Sequence, residues 1–138
     1  MAEVQAISKG IRMSPRKIGL VASLVRDRSV ADALIILAHT PKRAAKPVAK
    51  AIASAKANAI NNHGLAEDGL MITTLQVTAG ETMKRWKPAA QGRALPIAKR
   101  SSHVRVIVTG EPKPKKAAVA KPAATKKASK EASKEDKE

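Results

Sequence analysis

The sequence predicts an α+β fold: a small antiparallel sheet packed with three helices, a long protruding β-hairpin, and a disordered C-terminal tail. Three observations predict it. Between residues 14 and 60, apolar residues recur at helical spacing in three stretches. Beyond Gly69 and again near Val104 the period changes to two. After residue 110 the chain is mainly Lys, Ala, Pro, Ser and Glu, with one Val as the only bulky aliphatic. Such a segment cannot bury enough surface to offset its chain entropy.

Residues 3–13 alternate weakly and read as a strand. Ser14-Pro15 opens a first helix, since Ser is a good N-cap and Pro suits the first helical position. Ile18, Val21 and Val25, with Leu20 and Leu24, follow helical spacing. Ser29 starts a second helix and Asp32, three residues on, completes a capping-box-like pattern. Leu34, Ile35 and Leu37 are expected to face inward. Thr40-Pro41 ends that helix and caps a third, which runs through Val48, Ile52, Ala55 and Ala59 to a stop at Asn61-Asn62-His63-Gly64. In a helix begun at Pro41, Pro47 removes a hydrogen bond and is expected to kink the first turns. The many Ala residues predict close approach of a neighbouring element. Lys42, Arg43, Lys46, Lys50 and Lys56 mark a solvated, basic side.

Leu75, Val77 and Ala79 alternate with polar residues, as do Val104, Val106 and Val108, giving two half-buried strands. Between them, residues 83–102 lack a hydrophobic pattern. They read either as a long loop or as the outer half of a hairpin whose arms run past the core. The hairpin accounts better for the charge, and arms of about 18 residues would extend roughly 60 Å. The expected organisation is an α+β domain over 1–110, with the hairpin at about 70–109, and a Lys/Ala-rich disordered tail over 111–138.

The 138 residues suffice for one compact domain and a tail. Lys plus Arg number 27 against 11 acids, a net charge of +16. That excess destabilises a compact monomer by self-repulsion and points to a polyanionic partner. Charge is densest over residues 81–110, where seven bases face one acid. With no Cys, a disulfide scaffold, thiolate metal sites and a Cys nucleophile are excluded. With one Trp and no Phe or Tyr, the core is built from aliphatic residues. The longest strongly apolar run, residues 33–38, is far short of the roughly 20 residues of a membrane span. The N-terminus lacks the apolar stretch of a signal peptide. A soluble, unexported, cytoplasmic protein is expected.

Enzymatic constellations are missing from the sequence. His39, His63 and His103 are far apart, Glu67-Asp68 reads as a solvated turn, and the seven Gly are too scattered for a phosphate loop. No catalytic residue, metal site or cofactor is expected. The positive signal is Lys84, Arg85, Lys87, Arg93, Lys99, Arg100 and Arg105 on the hairpin. Cations along a ribbon reach phosphates on several strands, with counterion release making affinity fall with salt. Trp86 sits among Lys84, Arg85, Lys87 and Pro88, neighbours unsuited to a core, and is expected to stack on a base or pack on RNA sugar. Gly92 permits positive φ at the tip.

The stretch Ala90-Gln91-Gly92-Arg93, followed by His103-Val104-Arg105-Val106-Ile107-Val108, resembles the signature of the universal large-subunit ribosomal protein L22 family, bacterial type. Ser14-Pro15-Arg16-Lys17, Thr40-Pro41-Lys42, Ser54-Ala55 through Ala59, and Asn62-His63-Gly64-Leu65 extend the resemblance over about residues 3–110. The resemblance implies a structural constituent of the large subunit that binds 23S ribosomal RNA, helps its assembly and lines the nascent-peptide exit tunnel with its hairpin tip. It implies a tip of Met83, Lys84, Arg85, Trp86, Lys87, Pro88, Ala89, Ala90, Gln91, Gly92 and Arg93, next to the macrolide-binding region. Lys99, Arg100 and His103 would lie along an RNA-clad stem. With Arg12, Arg16, Lys17 and the hairpin cations and Trp86 above, these are the residues expected on ribosomal RNA. Expected partners are that RNA, neighbouring large-subunit proteins and the nascent peptide, with no membrane, for a monomer within the ribosome. The chain departs from the family pattern at Ala89, where the family usually has Arg, at Gln91, where it often has a base, and at Pro47.

Two other classes share parts of this pattern. A nucleoid-type DNA-bending protein also pairs a helical body with basic β-arms, but as an obligate dimer with an often Phe-containing core. An enzyme acting on nucleic acid needs clustered carboxylates or a general base, and none are clustered here.

Overall fold

The computed structural model describes residues 2–112. β1 (Ala2–Ile11) is followed by α1 (Pro15–Val25), α2 (Val30–His39), α3 (Ala45–Asn61), β2 (Met71–Pro88) and β3 (Ala94–Gly110). The strands form one antiparallel sheet in the order β1-β3-β2, and the three helices pack against it. The expected α+β class is the observed one. The tail expected over 111–138 lies, from residue 113 on, outside the described residues.

The first two helices begin where local chemistry starts them. Pro15 opens α1 after Ser14, whose carbonyl accepts from the N–H groups of Lys17 and Ile18, although its hydroxyl makes no capping bond. Ser29 caps α2 fully. Its Oγ accepts from the Asp32 N–H at 3.1 Å and donates to Asp32 Oδ2 at 2.7 Å. The expected start of α3 at Pro41 is wrong. The helix starts at Ala45 with Ala44 as N-cap, so Pro47 falls in the first turn, where its missing N–H has no intrahelical partner to lose. The kink expected at Pro47 therefore has no cause. At the other end Gly64 takes a positive φ of 60° and the Leu65 N–H donates back to the Ala59 carbonyl at 3.0 Å.

The core is aliphatic throughout. Ile18, Val21, Ala22 and Val25 of α1 meet Val30, Ala33 and Leu37 of α2, Val48, Ile52, Ala55 and Ala59 of α3, and Val104, Val106 and Val108 of β3. Burying each large side chain is worth about 1.5–3 kcal/mol, so these residues supply most of the driving force for folding. One inward expectation fails: Ile35 is 59% exposed. Of the apolar residues at helical spacing in α1, Leu20 is 62% exposed and Leu24 is exposed too. In α1 the buried stripe is spaced i, i+3, i+4, i+7 from Ile18, and Leu20 and Leu24 lie on the next stripe. Lys56 is likewise not a free solvated base, because its Nζ pairs with Glu67 Oε1 at 2.5 Å.

The sheet explains where the hairpin leaves the body. β1 pairs with β3 from Ala2↔Gly110 to Ile11↔Ser102, and the pairing ends there. β2 continues with β3 from Thr82↔Arg100 out to Pro88↔Ala94. Of the two readings for residues 83–102, the hairpin is therefore the observed one. Its free portion is shorter than the strand lengths suggest, because the first half of β2 lies within the three-stranded body. Residues 82–88 at roughly 3.3 Å each project about 23 Å, not 60 Å. Both outer strands bulge at the exit. The register of β1 shifts between Ser8 and Ile11, with Gly10 at φ 73°, and that of β2 shifts between Ala79 and Thr82. Such bulges bend a strand and sharpen its twist. At the tip, Gln91 and Gly92 take φ of 60° and 71°, and the Arg93 N–H reaches the Ala90 carbonyl at 3.4 Å. Two successive positive φ values are what a two-residue type I′ hairpin turn requires.

Candidate nucleic-acid interface

The root of the arm is fixed by buried polar contacts. Ser102 is fully buried, and its Oγ donates to the Met13 carbonyl at 3.0 Å, tying β3 to the start of α1. Ser101 Oγ donates to the Glu81 carbonyl inside the β2 bulge at 2.5 Å. On the other side the Gly10 N–H, freed from the ladder by its bulge, donates to His103 Nδ1 at 3.0 Å. In the neutral ring this puts the remaining proton on Nε2. No buried side-chain polar atom is left unsatisfied among the described residues. The chemistry of the root is thus positional: it sets the direction of the arm.

Beyond the root the arm presents cations on both faces. The register places Met83, Arg85, Lys87, Leu95, Ile97 and Lys99 on one face, and Thr82, Lys84, Trp86, Pro88, Ala94, Pro96, Ala98 and Arg100 on the other. Trp86 is 69% exposed and its register partner is Pro96. Leu95 and Ile97 are exposed too. Arg85 Nη1 donates to the neighbouring Lys84 carbonyl at 2.8 Å, and Arg93 is exposed beside the turn. Glu81 is the one acid between residues 69 and 110, so nothing on the arm itself neutralises these charges.

The remaining expected residues divide by location. Arg12 and Lys17 at the start of α1 come together with Lys99 and Arg100 at the foot of the arm, around a groove of about 850 Å³. Lys42 and Arg43, from the link between α2 and α3, complete its rim. Sequence reasoning had placed those two on a solvated helix side and left them out of the interface. Their only signal was charge, because the topology that brings residues 42–43 to residues 99–100 is not written locally. Arg16 is exposed on α1 but does not line the groove. Arg105, grouped by sequence with the projecting cations, is on the body: it pairs with Ile7 and Gln76 within the three-stranded sheet. His103 is half-buried at the root.

Among the described residues, no three His, Cys, Asp or Glu come together as metal ligands, and no helix is long and apolar enough to cross a membrane.

Comparison with known proteins places this geometry. The family described as Ribosomal protein L22p/L17e matches residues 6–109. The chain is 48% identical over 109 residues to the large ribosomal subunit protein uL22 of Mesoplasma florum, spanning 79% of this chain and 97% of that protein. It is 48% identical over 106 residues to the uL22 protein of Clostridioides difficile, spanning 77% and 96%. The uL22 protein of Deinococcus deserti is 50% identical over 104 residues, 75% of each chain.

Proposed function

This chain belongs to the ribosomal protein L22p/L17e family, and on that premise we propose that it docks on 23S ribosomal RNA through its cationic arm and arm root, aids assembly of that RNA, and lines the nascent-peptide exit tunnel with its tip. Family membership makes it a structural, non-enzymatic constituent of the large ribosomal subunit, ribosome-associated in the cytoplasm and serving translation. The finer reading assigns roles within that setting. Lys84, Arg85, Lys87, Arg93, Lys99 and Arg100 take phosphates along the arm, with Arg12, Arg16 and Lys17 on the flank of the body, and His103 and Arg105 on the open sheet face. Trp86 packs on a base or a sugar. Met83 to Arg93 form the stretch that faces the emerging peptide. Residues 1–110 are the RNA-binding unit and 111–138 its Lys/Ala-rich extension.

One observation carries the reading. The arm projects past its third strand while exposing Trp86, Leu95 and Ile97 beside uncompensated cations. An isolated two-stranded ribbon is marginal in water, and this one exposes large apolar side chains on both faces, Trp86 on one and Leu95 with Ile97 on the other, where a contact surface would cover them. Cations mixed with an exposed aromatic fit polynucleotide, where backbone charge and base stacking act together.

The test is chemical footprinting of 23S ribosomal RNA with the full chain, together with a density map of the large subunit containing it. Protections that appear with the chain, and an arm embedded in RNA with residues 83–93 at the tunnel wall, are expected. An arm lying remote from every nucleotide, or a chain that sediments only apart from the subunit at moderate salt, would overturn it. A clear preference for duplex DNA over structured RNA in competition would favour a DNA-bending role instead.

A further inference from the structure

We propose that the groove at the root of the arm is a binding site for an unpaired nucleotide of RNA, with the flanking phosphates on its cationic rim and the base on its apolar lining. The inference rests on the RNA-binding reading and adds a defined site to it.

Six cations from three separate parts of the chain form the rim: Arg12 and Lys17, Lys42 and Arg43, Lys99 and Arg100. Among the described residues, no carboxylate lines the groove. Six uncompensated positive charges around one concavity demand a polyanion, and their spread over three elements suits a bent backbone better than one compact anion. The rest of the lining is of a different character: Met13, Leu20, Ala44, Met83 and Ala98 also line the groove, Met83 and Ala98 from opposite faces of the arm. Leu20 is 62% exposed on the edge of α1, away from the buried stripe of Ile18, Val21, Ala22 and Val25. The thioethers of Met13 and Met83 are flexible and polarizable and adapt to a planar ring.

Duplex RNA would leave this lining uncovered, because paired bases are stacked inside the helix and offer the protein mainly backbone and 2′-hydroxyls. An unpaired base can swing out and cover it. The volume of about 850 Å³ lies within the roughly 300–1,000 Å³ of pockets that hold small molecules. Arm and body contribute to the same groove, so an occupant would also lock the arm to α1 and to the α2–α3 link.

The probe is a single-stranded oligoriboadenylate with one 2-aminopurine, compared with its duplex with oligouridylate. Full-length parent chain should bind the single strand more tightly and change the 2-aminopurine emission. Leu20→Ser is on an exposed position and should leave the melting midpoint in place. It should weaken single-strand binding about fivefold at every salt concentration without changing the salt dependence, and Leu20→Met should restore it. Lys42→Ala/Arg43→Ala should behave differently, lowering the slope of log affinity against log salt by about 1.4, or roughly 0.7 per lost phosphate contact on a single strand. Equal binding of single strand and duplex, or Leu20→Ser binding like the parent, would overturn the proposal. A parent that binds 23S ribosomal RNA while the groove variants are indifferent sinks only the groove. A parent that fails to bind that RNA sinks the function proposed above.

Discussion

Replacing Gly80 with Ala tests whether the arm root is set by the Ser101 contact. A Cβ at Gly80 would sit 2.7 Å from Ser101 Oγ and 3.1 and 3.2 Å from His103 Cε1 and Nε2. The hydroxyl is the end of a short side chain and can rotate away, but only by giving up its hydrogen bond to the Glu81 carbonyl. The net value of such a bond is about 0.5–1.5 kcal/mol. Ala also restricts the unfolded chain, which returns about 0.4–1 kcal/mol where the native backbone is compatible. The expected net loss for Gly80→Ala is therefore small, up to about 1 kcal/mol. Ser101→Ala should cost about 1 kcal/mol by deleting the same bond. The informative measurement is the double variant. With the hydroxyl gone, the added methyl still lies 3.1 and 3.2 Å from His103 Cε1 and Nε2 and the ring must give by a few tenths of an ångström, so Gly80→Ala in the Ser101→Ala background should cost less than in the parent. Urea unfolding followed by circular dichroism gives all four corners of the cycle. Trp86 fluorescence would be a poor probe, since the ring is already exposed in the folded state. Strictly additive costs would refute the reasoning, because contacting residues that share one bond must couple.

Ile52→Ala, at a fully buried position of α3, should cost about 2–5 kcal/mol and lower the urea midpoint. Gln91→Asn should slow amide exchange at Arg93, because Asn tolerates the positive φ at the first turn position better than Gln. Arg93→Glu should weaken binding to 23S ribosomal RNA by tenfold or more at low salt, with a melting midpoint unchanged in the free chain; a melted domain would show Arg93 to be structural. A chain ending at Pro112 should melt like the full chain, since it keeps the Ala66 N–H bond to the Glu111 carbonyl and the Leu65–Pro112 bridge. A midpoint several degrees lower would mean that later residues support the fold.

The elements that were legible in the sequence are those with a local physical signature. Ser29 and Asp32 announce the start of α2 because their capping bonds are made within one turn. Leu75 and the valines of β3 announce strands because one sheet face is buried and the other is open. The start of α3 was misread because Pro41 and Pro47 both satisfy first-turn rules, and only packing of Ala44 and Ala45 chooses between them. The outer arm has no legible pattern, since residues 90–100 are exposed on both faces and alternation needs one dry face. For the interface, the density of bases was visible but their grouping was not. Lys42 and Arg43 join Lys99 and Arg100 through the fold, whereas Arg105 is taken from the arm by a third strand that ends only at Ile11.

That third strand also decides how the arm meets its partner. While β1 is present, the sheet is anchored by a packed core of aliphatic side chains. Past Ser102 the ribbon has only its own ladder and the turn at Gln91-Gly92. A two-stranded ribbon has little stability of its own, and like charges along it act against compactness. The two bulges at the exit, one on each side of β3, place the bend where the anchored and unanchored parts join. Ser101, Ser102 and His103 fasten that bend to the β2 bulge, to the start of α1 and to the β1 bulge respectively. The direction of the arm is consequently held by the body, while its outer half has few contacts with the body to support it. On the docking proposed above, chain entropy would be lost mainly beyond the root, where the body already holds the strands in place.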